Sequence, residues 1–250
     1  MENIKIDFLP WDSNFFGLKV GRIDFSSNKE SQHFDELGKF IRNSDYDLIY
    51  LFTNLGQIPF KLYQDGKDIN LKFIDSQIHL EMNIPPEIKI LEYGLITKDN
   101  LCNYTNIDQL YKISDEVALF SRFNHDSRIS KKKVKELYYK FIQNSLDGSF
   151  GDGLILDIGP NGEVKGLFAL GTKGNLGREI LIGVKESNRG KGVGRRLFDR
   201  SLSYWRDKGV KVIRTIVSEK NLDSLNFHLH LGYRIIKIKN VYHLWVEKKI

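Results

Sequence analysis

Ile182-Gly183-Val184-Lys185-Glu186-Ser187-Asn188-Arg189-Gly190-Lys191-Gly192-Val193-Gly194-Arg195-Arg196-Leu197 is the stretch on which the reading of this chain turns. An apolar run ends at Val184, glycines stand at 190, 192 and 194, and a helix-favouring segment opens directly behind them. Successive backbone N–H groups in such a loop point the same way. With the unpaired N–H groups of a helix start they form an anion cradle. Glycine is required there because a side chain would block the approach of a phosphate. Arg189, Lys191, Arg195 and Arg196 add positive charge. The stretch is not a Walker loop, since Gly194 is followed by Arg195-Arg196 instead of Lys and Ser or Thr. Nor is it the dinucleotide fingerprint, which needs Gly-x-Gly-x-x-Gly after the first strand of a βαβ unit.

The charge around the loop agrees with an anionic ligand. The chain of 250 residues carries 38 Lys and Arg against 32 Asp and Glu, a net +6. Residues 185–250 alone hold 16 basic and 6 acidic side chains, +10, which leaves −4 for the first 184. A solvated basic face is the plainer reading of that asymmetry, and the embedded glycines weigh against it. With 12% aromatic residues the chain has too much apolar mass to stay unfolded. A single cysteine, Cys102, excludes an intramolecular disulfide and a cysteine-based zinc site, and it reads as structural. The six histidines show no ligand spacing, so no metal is expected. No apolar run approaches the ~20 residues of a membrane span, and the first residues do not read as a signal peptide. The expectation is a cytoplasmic protein without membrane contact.

Further out, two halves are readable, parted near Pro85-Pro86. Residues 1–88 suggest a smaller α/β domain. Strands are expected at Ile4–Phe8, Lys19–Phe25, Leu48–Phe52 and Ile74–Met82, with helical spacing over Phe34–Ile41 and a helix end at Phe60–Gly66. Residues 89–250 open with two helices, Asp108–Phe120 and Lys131–Leu146. Strands follow at Gly153–Ile158 and Val164–Leu170 around the turn Gly159-Pro160-Asn161-Gly162, then at Glu179–Val184. A helix from Arg195 to about Lys208, a strand Val210–Val217, a helix Leu222–Leu231 and a last strand Tyr242–Val246 complete the pattern. The fold class is α/β with a mixed twisted sheet.

Arg-Gly-x-Gly-x-Gly behind a strand ending Ile-Gly-Val resembles the acetyl-CoA pyrophosphate loop of the GCN5-related N-acetyltransferases. The flanks agree: a strand Val212–Val217, then Asn221, Ser224, Phe227, His228 and Gly232-Tyr233. The family typically has Asn-x-x-Ala, an aromatic pair ending in Tyr, and Gly-Phe. Here Ser224 stands at the Ala position, His228 at the Tyr position and Tyr233 at the Phe position. Three rarer strings narrow the likeness: Leu9-Pro10-Trp11-Asp12-Ser13-Asn14-Phe15-Phe16-Gly17, Ser121-Arg122-Phe123-Asn124-His125-Asp126 and Tyr242-His243-Leu244-Trp245. Together they look like the dTDP-fucosamine acetyltransferase group and related dTDP-amino-sugar N-acyltransferases, over the whole chain. Their products feed surface polysaccharides.

The resemblance implies a GCN5-type sheet, with the N-terminal part readable as a degenerate copy of the same fold. It implies acyl-CoA as co-substrate, acetyl-CoA or a short hydroxyacyl-CoA such as 3-hydroxybutanoyl-CoA. The acceptor would be the 3-amino or 4-amino group of a dTDP-linked dideoxy sugar. Ile182, Val184, Arg189, Gly190, Lys191, Gly192, Val193, Gly194, Arg195, Asn221 and Phe227 would hold the cofactor. The family splays two parallel strands, here those ending at Val184 and Val217, so that the Val184 N–H meets the thioester oxygen. His228 would serve as general acid toward the thiolate, or would only pack on its helix. Arg122 would bind the diphosphate or pair with a nearby acid, and Phe123 would stack on thymine. His125 and Asp126 would orient the amine or take its proton. Trp11 and Phe16 either face the acceptor or cap the core, and His243 reads as a core histidine. A homodimer is expected from the family. Two other readings compete. The same fold could acylate a peptide, a protein or another small amine, which needs an open groove. A nucleic-acid module would need basic residues spread over a face, whereas here they cluster at one loop.

Overall fold

The computed structural model describes residues 5–25, 34–57, 59 and 69–247. The expected helix end at Phe60–Gly66 lies outside the described residues, as does the start of the expected first strand. Among the described residues, nine strands form one sheet in the order β1-β2-β3-β9-β4-β8-β7-β6-β5. The strands are β1 Asp7–Phe8, β2 Val20–Asp24, β3 Leu48–Asn54, β4 Ile69–Asn83, β5 Gly153–Ile158, β6 Val164–Lys173, β7 Leu176–Val184, β8 Val212–Ser218 and β9 Arg234–Val246. The helices are α1 Pro10–Phe16, α2 Phe34–Arg42, α3 Ile107–Ala118, α4 Lys131–Leu146, α5 Val193–Asp207 and α6 Leu222–His230.

Local sequence accounts for most of these elements. Asn106 caps α3 by accepting from the Asp108 and Gln109 N–H groups. Ser130 caps α4, whose Val134, Leu137 and Ile142 recur at helical spacing and are fully buried. Gly162, at φ 73°, closes the β5–β6 hairpin in the left-handed conformation the turn needs. α1 was not legible as a helix. Pro10 at its first turn and Gly17 at φ 68° past its end bracket it, and the aromatic string itself is the helix.

Two parallel pairs, β2–β3 and β7–β8, are each joined across a helix, α2 and α5. The division expected at residue 88 falls in the stretch after β4, and strands from either side of it share the sheet. β9 lies between β3 and β4, and β4 lies between β9 and β8. Helices α3 and α4 cover one face through Leu110, Ile113, Val134 and Leu137. Helix α5 covers the other through Leu197, Phe198, Leu202 and Trp205, and the Trp205 indole donates to the Gly171 carbonyl at 3.2 Å.

The feature that makes a site is a gap. β7 pairs with β8 only over Leu176–Arg178 against Val212–Arg214. Directly afterwards the β6–β7 register slips, Leu170 opposite Glu179 but Ala169 opposite Leu181. The extra residue, Ile180, is a bulge that bends β7 away from β8. The two strands diverge from there to their ends.

Candidate active site

Lys185 N–H donates to the Lys165 carbonyl at 3.0 Å, so β7 directs its odd-numbered residues there toward β6. Alternation then turns the Ile182 and Val184 N–H groups to the other edge, into the gap that β8 has left. The Val184 carbonyl faces the same way and accepts from Arg189 Nε at 3.2 Å. Gly190 and Gly192 both have φ 73°, and Gly192 is the N-cap residue of α5 with no side-chain bond to offer. The first N–H groups of α5 are left for a ligand, and its first turn holds no acid. Arg195 and Arg196 stand instead where the helix dipole is already positive, an arrangement that an anion relieves. A β-carbon at Gly194 would stand 3.1 Å from the Phe227 ring, so glycine lets α6 close over the loop.

These groups surround a cleft of about 510 Å3. Ile182, Val184, Arg189, Gly190, Gly192, Val193, Gly194, Arg195, Asn221 and Phe227 all line it, with Glu116 and Phe120 opposite. Of the eleven residues expected at the cofactor, Lys191 alone is outside the lining; its ammonium turns back to the Ser187 carbonyl at 2.8 Å. Glu116 was not foreseen. It bonds Arg189 Nη2 at 2.6 Å and accepts from the Glu186 N–H at 3.0 Å, tying the loop to α3. Arg195 reaches Asp199 and Arg196 reaches Asp157, each at 2.8 Å.

A second cavity of about 130 Å3 continues into the gap and shares Val117, Phe120, Ile182, Asn221 and Ser224 with the first. Its walls include Tyr138, Thr215, Ile216, Ser218, Glu179 and His228. His228 has no solvent exposure and both ring nitrogens are engaged. Nδ1 lies 2.6 Å from the Ser224 carbonyl and Nε2 lies 2.6 Å from Glu179 Oε1. Serving both acceptors takes two N–H donors, which only the imidazolium has. Burial pulls its pKa down, but the Glu179 charge and hydrogen bond and the Ser224 carbonyl outweigh it, and the pKa is raised. Tyr233 O–H donates to Glu179 Oε2 at 3.1 Å and completes the cluster. The position that sequence marked for a proton donor is thus a buried ion pair that fixes α6 against β7. Glu179 lies 49 residues away in sequence, and nothing local announced the pairing.

The residues expected at the acceptor are not gathered at the gap. Asp126 is 1% exposed and accepts from His243 Nδ1 at 2.6 Å and from the Trp245 indole at 2.9 Å. Burial would raise its pKa, but those bonds and the Arg128 N–H hold it at about 2. Both of its oxygens are engaged within the fold, Oδ2 by His243 and Trp245 and Oδ1 by the Arg128 N–H. Phe123 is 7% exposed and packs on Phe16 at 5.5 Å. Arg122 lies between the Tyr50 and Phe123 rings, at 4.2 and 4.3 Å, with Nη1 unpartnered among the described residues. His125 Nε2 is likewise unpartnered there, and the His125 carbonyl accepts from Lys72 at 3.2 Å. Trp11 stacks on Phe15 at 5.4 Å and lines a shallow groove with Lys133 and Tyr139, apart from the cleft.

His243 bears out the reading of a core histidine, and it yields a prediction. Burial and the Arg122 charge outweigh the Asp126 bond and draw its pKa to about 4. The unfolded chain binds a proton at His243 below its ordinary ~6.5, while the native state refuses it until about 4. Stability therefore falls as pH drops through that window. The His243 ring resonances are expected to stay neutral at pH ~5, where an unperturbed histidine is charged. Titration at the ordinary value would contradict the buried Asp126 pairing.

Residues 119–233 match the family model described as acetyltransferase (GNAT) family. No curated protein matches the sequence. Among solved structures, a functionally unknown conserved protein from Staphylococcus epidermidis ATCC 12228 superposes with a TM-score of 0.58 at 14% identity, over 100% of this chain and 93% of its own. A GCN5-related glucosamine N-acetyltransferase region in a fungal multi-domain GH3 beta-N-acetylglucosaminidase gives 0.51 at 14% identity, over 96% of this chain and 31% of its own. The family model spans just under half of the chain, and the two superposed structures share its fold. Among the described residues no side-chain cluster could hold a metal ion, and no helix is long and apolar enough to cross a membrane.

Proposed function

We propose that the chain transfers an acetyl or short hydroxyacyl group, such as 3-hydroxybutanoyl, from CoA to the amine of a dTDP-linked amino-dideoxy sugar. The observation that carries the acyl transfer is the continuous cleft from the Gly190–Gly194 loop into the β7–β8 gap. The loop and the α5 N-terminus take the pyrophosphate, and the cleft leads the thioester past Asn221 and Phe227 to Val184. There the Val184 N–H, unpaired in the gap, donates to the oxygen as it becomes an oxyanion. Holding thioester and amine together contributes on the order of 7–11 kcal/mol at best. A CoA thiol has a pKa near the ~8.5 of free cysteine, so the thiolate leaves with little help. His228, with both nitrogens engaged, positions Ser224 and Glu179 and needs no proton exchange. The nucleotide-sugar acceptor rests on the three rare strings, of which the first forms α1.

The experiment follows free-thiol release with acetyl-CoA and 3-hydroxybutanoyl-CoA against dTDP-3-amino and dTDP-4-amino deoxysugars. One productive pair, lost in Arg189→Ala, is the expected result. Binding of acetyl-CoA without turnover of any dTDP sugar would remove that acceptor and turn the search to peptide or other small amines.

A further inference from the structure

We propose that Asp75 and Ser218 form the proton-accepting pair for the acceptor amine, so that the N-terminal half contributes to the reacting centre through β4. The inference rests on the acyl-transfer reading of the cleft. It does not depend on which amine is the acceptor.

β4 pairs with β8 from Gln77 to Asn83, and so lies against the strand whose end forms one lip of the gap. Where β4 meets β9, the register slips between Phe73 and Asp75, with Ile74 as the extra residue. Such a bulge re-aims the next side chain. Asp75, 2% exposed, is thereby brought to Ser218 at the end of β8, and Ser218 Oγ–H donates to Asp75 Oδ1 at 2.8 Å. Ser218 lines the smaller cavity, the part that lies beyond the cofactor cleft and faces Tyr138 and Phe120. The pair thus reaches the space left for the amine once the thioester lies at Val184.

Around Asp75 stand Glu219 and Lys220 beyond β8, Arg122 from the turn after α3, and Tyr138 from α4. Lys220 is held elsewhere, donating to the Ile74 carbonyl at 2.9 Å. Burial, with a smaller contribution from Glu219, lifts the Asp75 pKa to about 6 against the bond from Ser218. The carboxyl is therefore ionised at neutral pH and is a stronger base than a surface aspartate.

The step balances as follows. The amine nitrogen bonds to the thioester carbon and the carbonyl pair moves to oxygen. The nitrogen's proton passes to Ser218 Oγ as the Ser218 hydroxyl proton passes to Asp75 Oδ1. The oxyanion pair then re-forms the C=O bond as the C–S bond breaks with its pair on sulfur. Asp75 returns its proton to solvent, from which the thiolate takes one.

The test uses the full chain, acetyl-CoA, and ethanolamine in large excess as the probe amine, with thiol release read across pH. Asp75→Asn is expected to lower kcat about 100-fold, the low end for lost general-base catalysis. It should also flatten the acid limb of the pH profile, leave acetyl-CoA affinity within about threefold, and keep the melting temperature, since it removes a charge that burial disfavours. Ser218→Ala should lower kcat about tenfold with the same unchanged affinity, and Asp75→Glu should restore the limb. Wild-type turnover and limb in Asp75→Asn would overturn the pair while leaving acyl transfer standing. Failure of the wild-type chain to bind acetyl-CoA would overturn the reading of the cleft, and the pair with it.

Discussion

Gly192→Asp is expected to weaken acetyl-CoA binding by at least a factor of about 100, close to 3 kcal/mol, while the protein stays folded. Gly192 is the N-cap of α5 and the centre of the loop. At its φ of 73° an added β-carbon meets only the end of the Arg196 side chain, at 3.4 Å, so a new carboxylate there takes the place of the phosphate beside that guanidinium. Two like charges about 4 Å apart near a protein surface repel by roughly 4 kcal/mol at an effective dielectric near 20, which sets the scale. Stability is a separate matter. Left-handed backbone costs an aspartate less than most residues, and an acid at an N-cap favours the helix dipole. Calorimetric titration with acetyl-CoA reads the loss, and a melting curve reads the fold. S-acetylpantetheine, which lacks the pyrophosphate, is expected to bind wild type and variant alike. Undiminished acetyl-CoA binding by Gly192→Asp would remove the loop from the cofactor site. Equal weakening of both ligands would point to a general collapse of the cleft instead.

That cleft was legible because its parts are local. The glycines, the helix behind them and the β5–β6 hairpin each declare themselves within about ten residues, where spacing and backbone preference decide. What the sequence hid depends on partners far along the chain. β9 is thirteen residues long, from Arg234, although its first half alternates charge and aliphatic residues in a way that does not mark a buried strand. β4 reads as an ordinary strand, and nothing in it states that β8 and β9 will flank it. Asp75 and Ser218 are 143 residues apart, and Asp126 and His243 117 apart. The strings around Trp11 and Arg122 have a packing role that spacing did not reveal. Their aromatic residues stand out in sequence, yet Phe15, Phe16 and Phe123 stand out because they knit α1 and the turn after α3 into a core with Tyr50. Rare strings mark demanding packing as readily as they mark a ligand.

Glu179→Ala is the substitution expected to destabilise the chain most. It would leave the fully buried His228 Nε2 and the Tyr233 hydroxyl without the acceptor they share. Removing one partner of a buried pair costs about 3–5 kcal/mol, because the other charge stays desolvated. At roughly 2–4 °C per kcal/mol for a chain of this size, the melting temperature should fall by about 6–20 °C. Its pH dependence separates the charge from the packing. The folded pKa of His228 is raised, so the native state holds a proton that the unfolded chain releases above ~6.5. The pairing therefore contributes fully below that value and is lost as pH rises through the folded pKa. The stability gap between wild type and Glu179→Gln, measured by urea denaturation, should be wide near pH ~6 and narrow as pH rises through the folded pKa of His228. A gap constant with pH would mean that the pair is held by shape and neutral hydrogen bonds, and that His228 carries no charge beneath the cleft. Because Ser224 sits between that imidazole and the cofactor, acetyl-CoA affinity in Glu179→Gln should fall with the same pH dependence as stability. The ion pair would then be what keeps α6 seated against the gap.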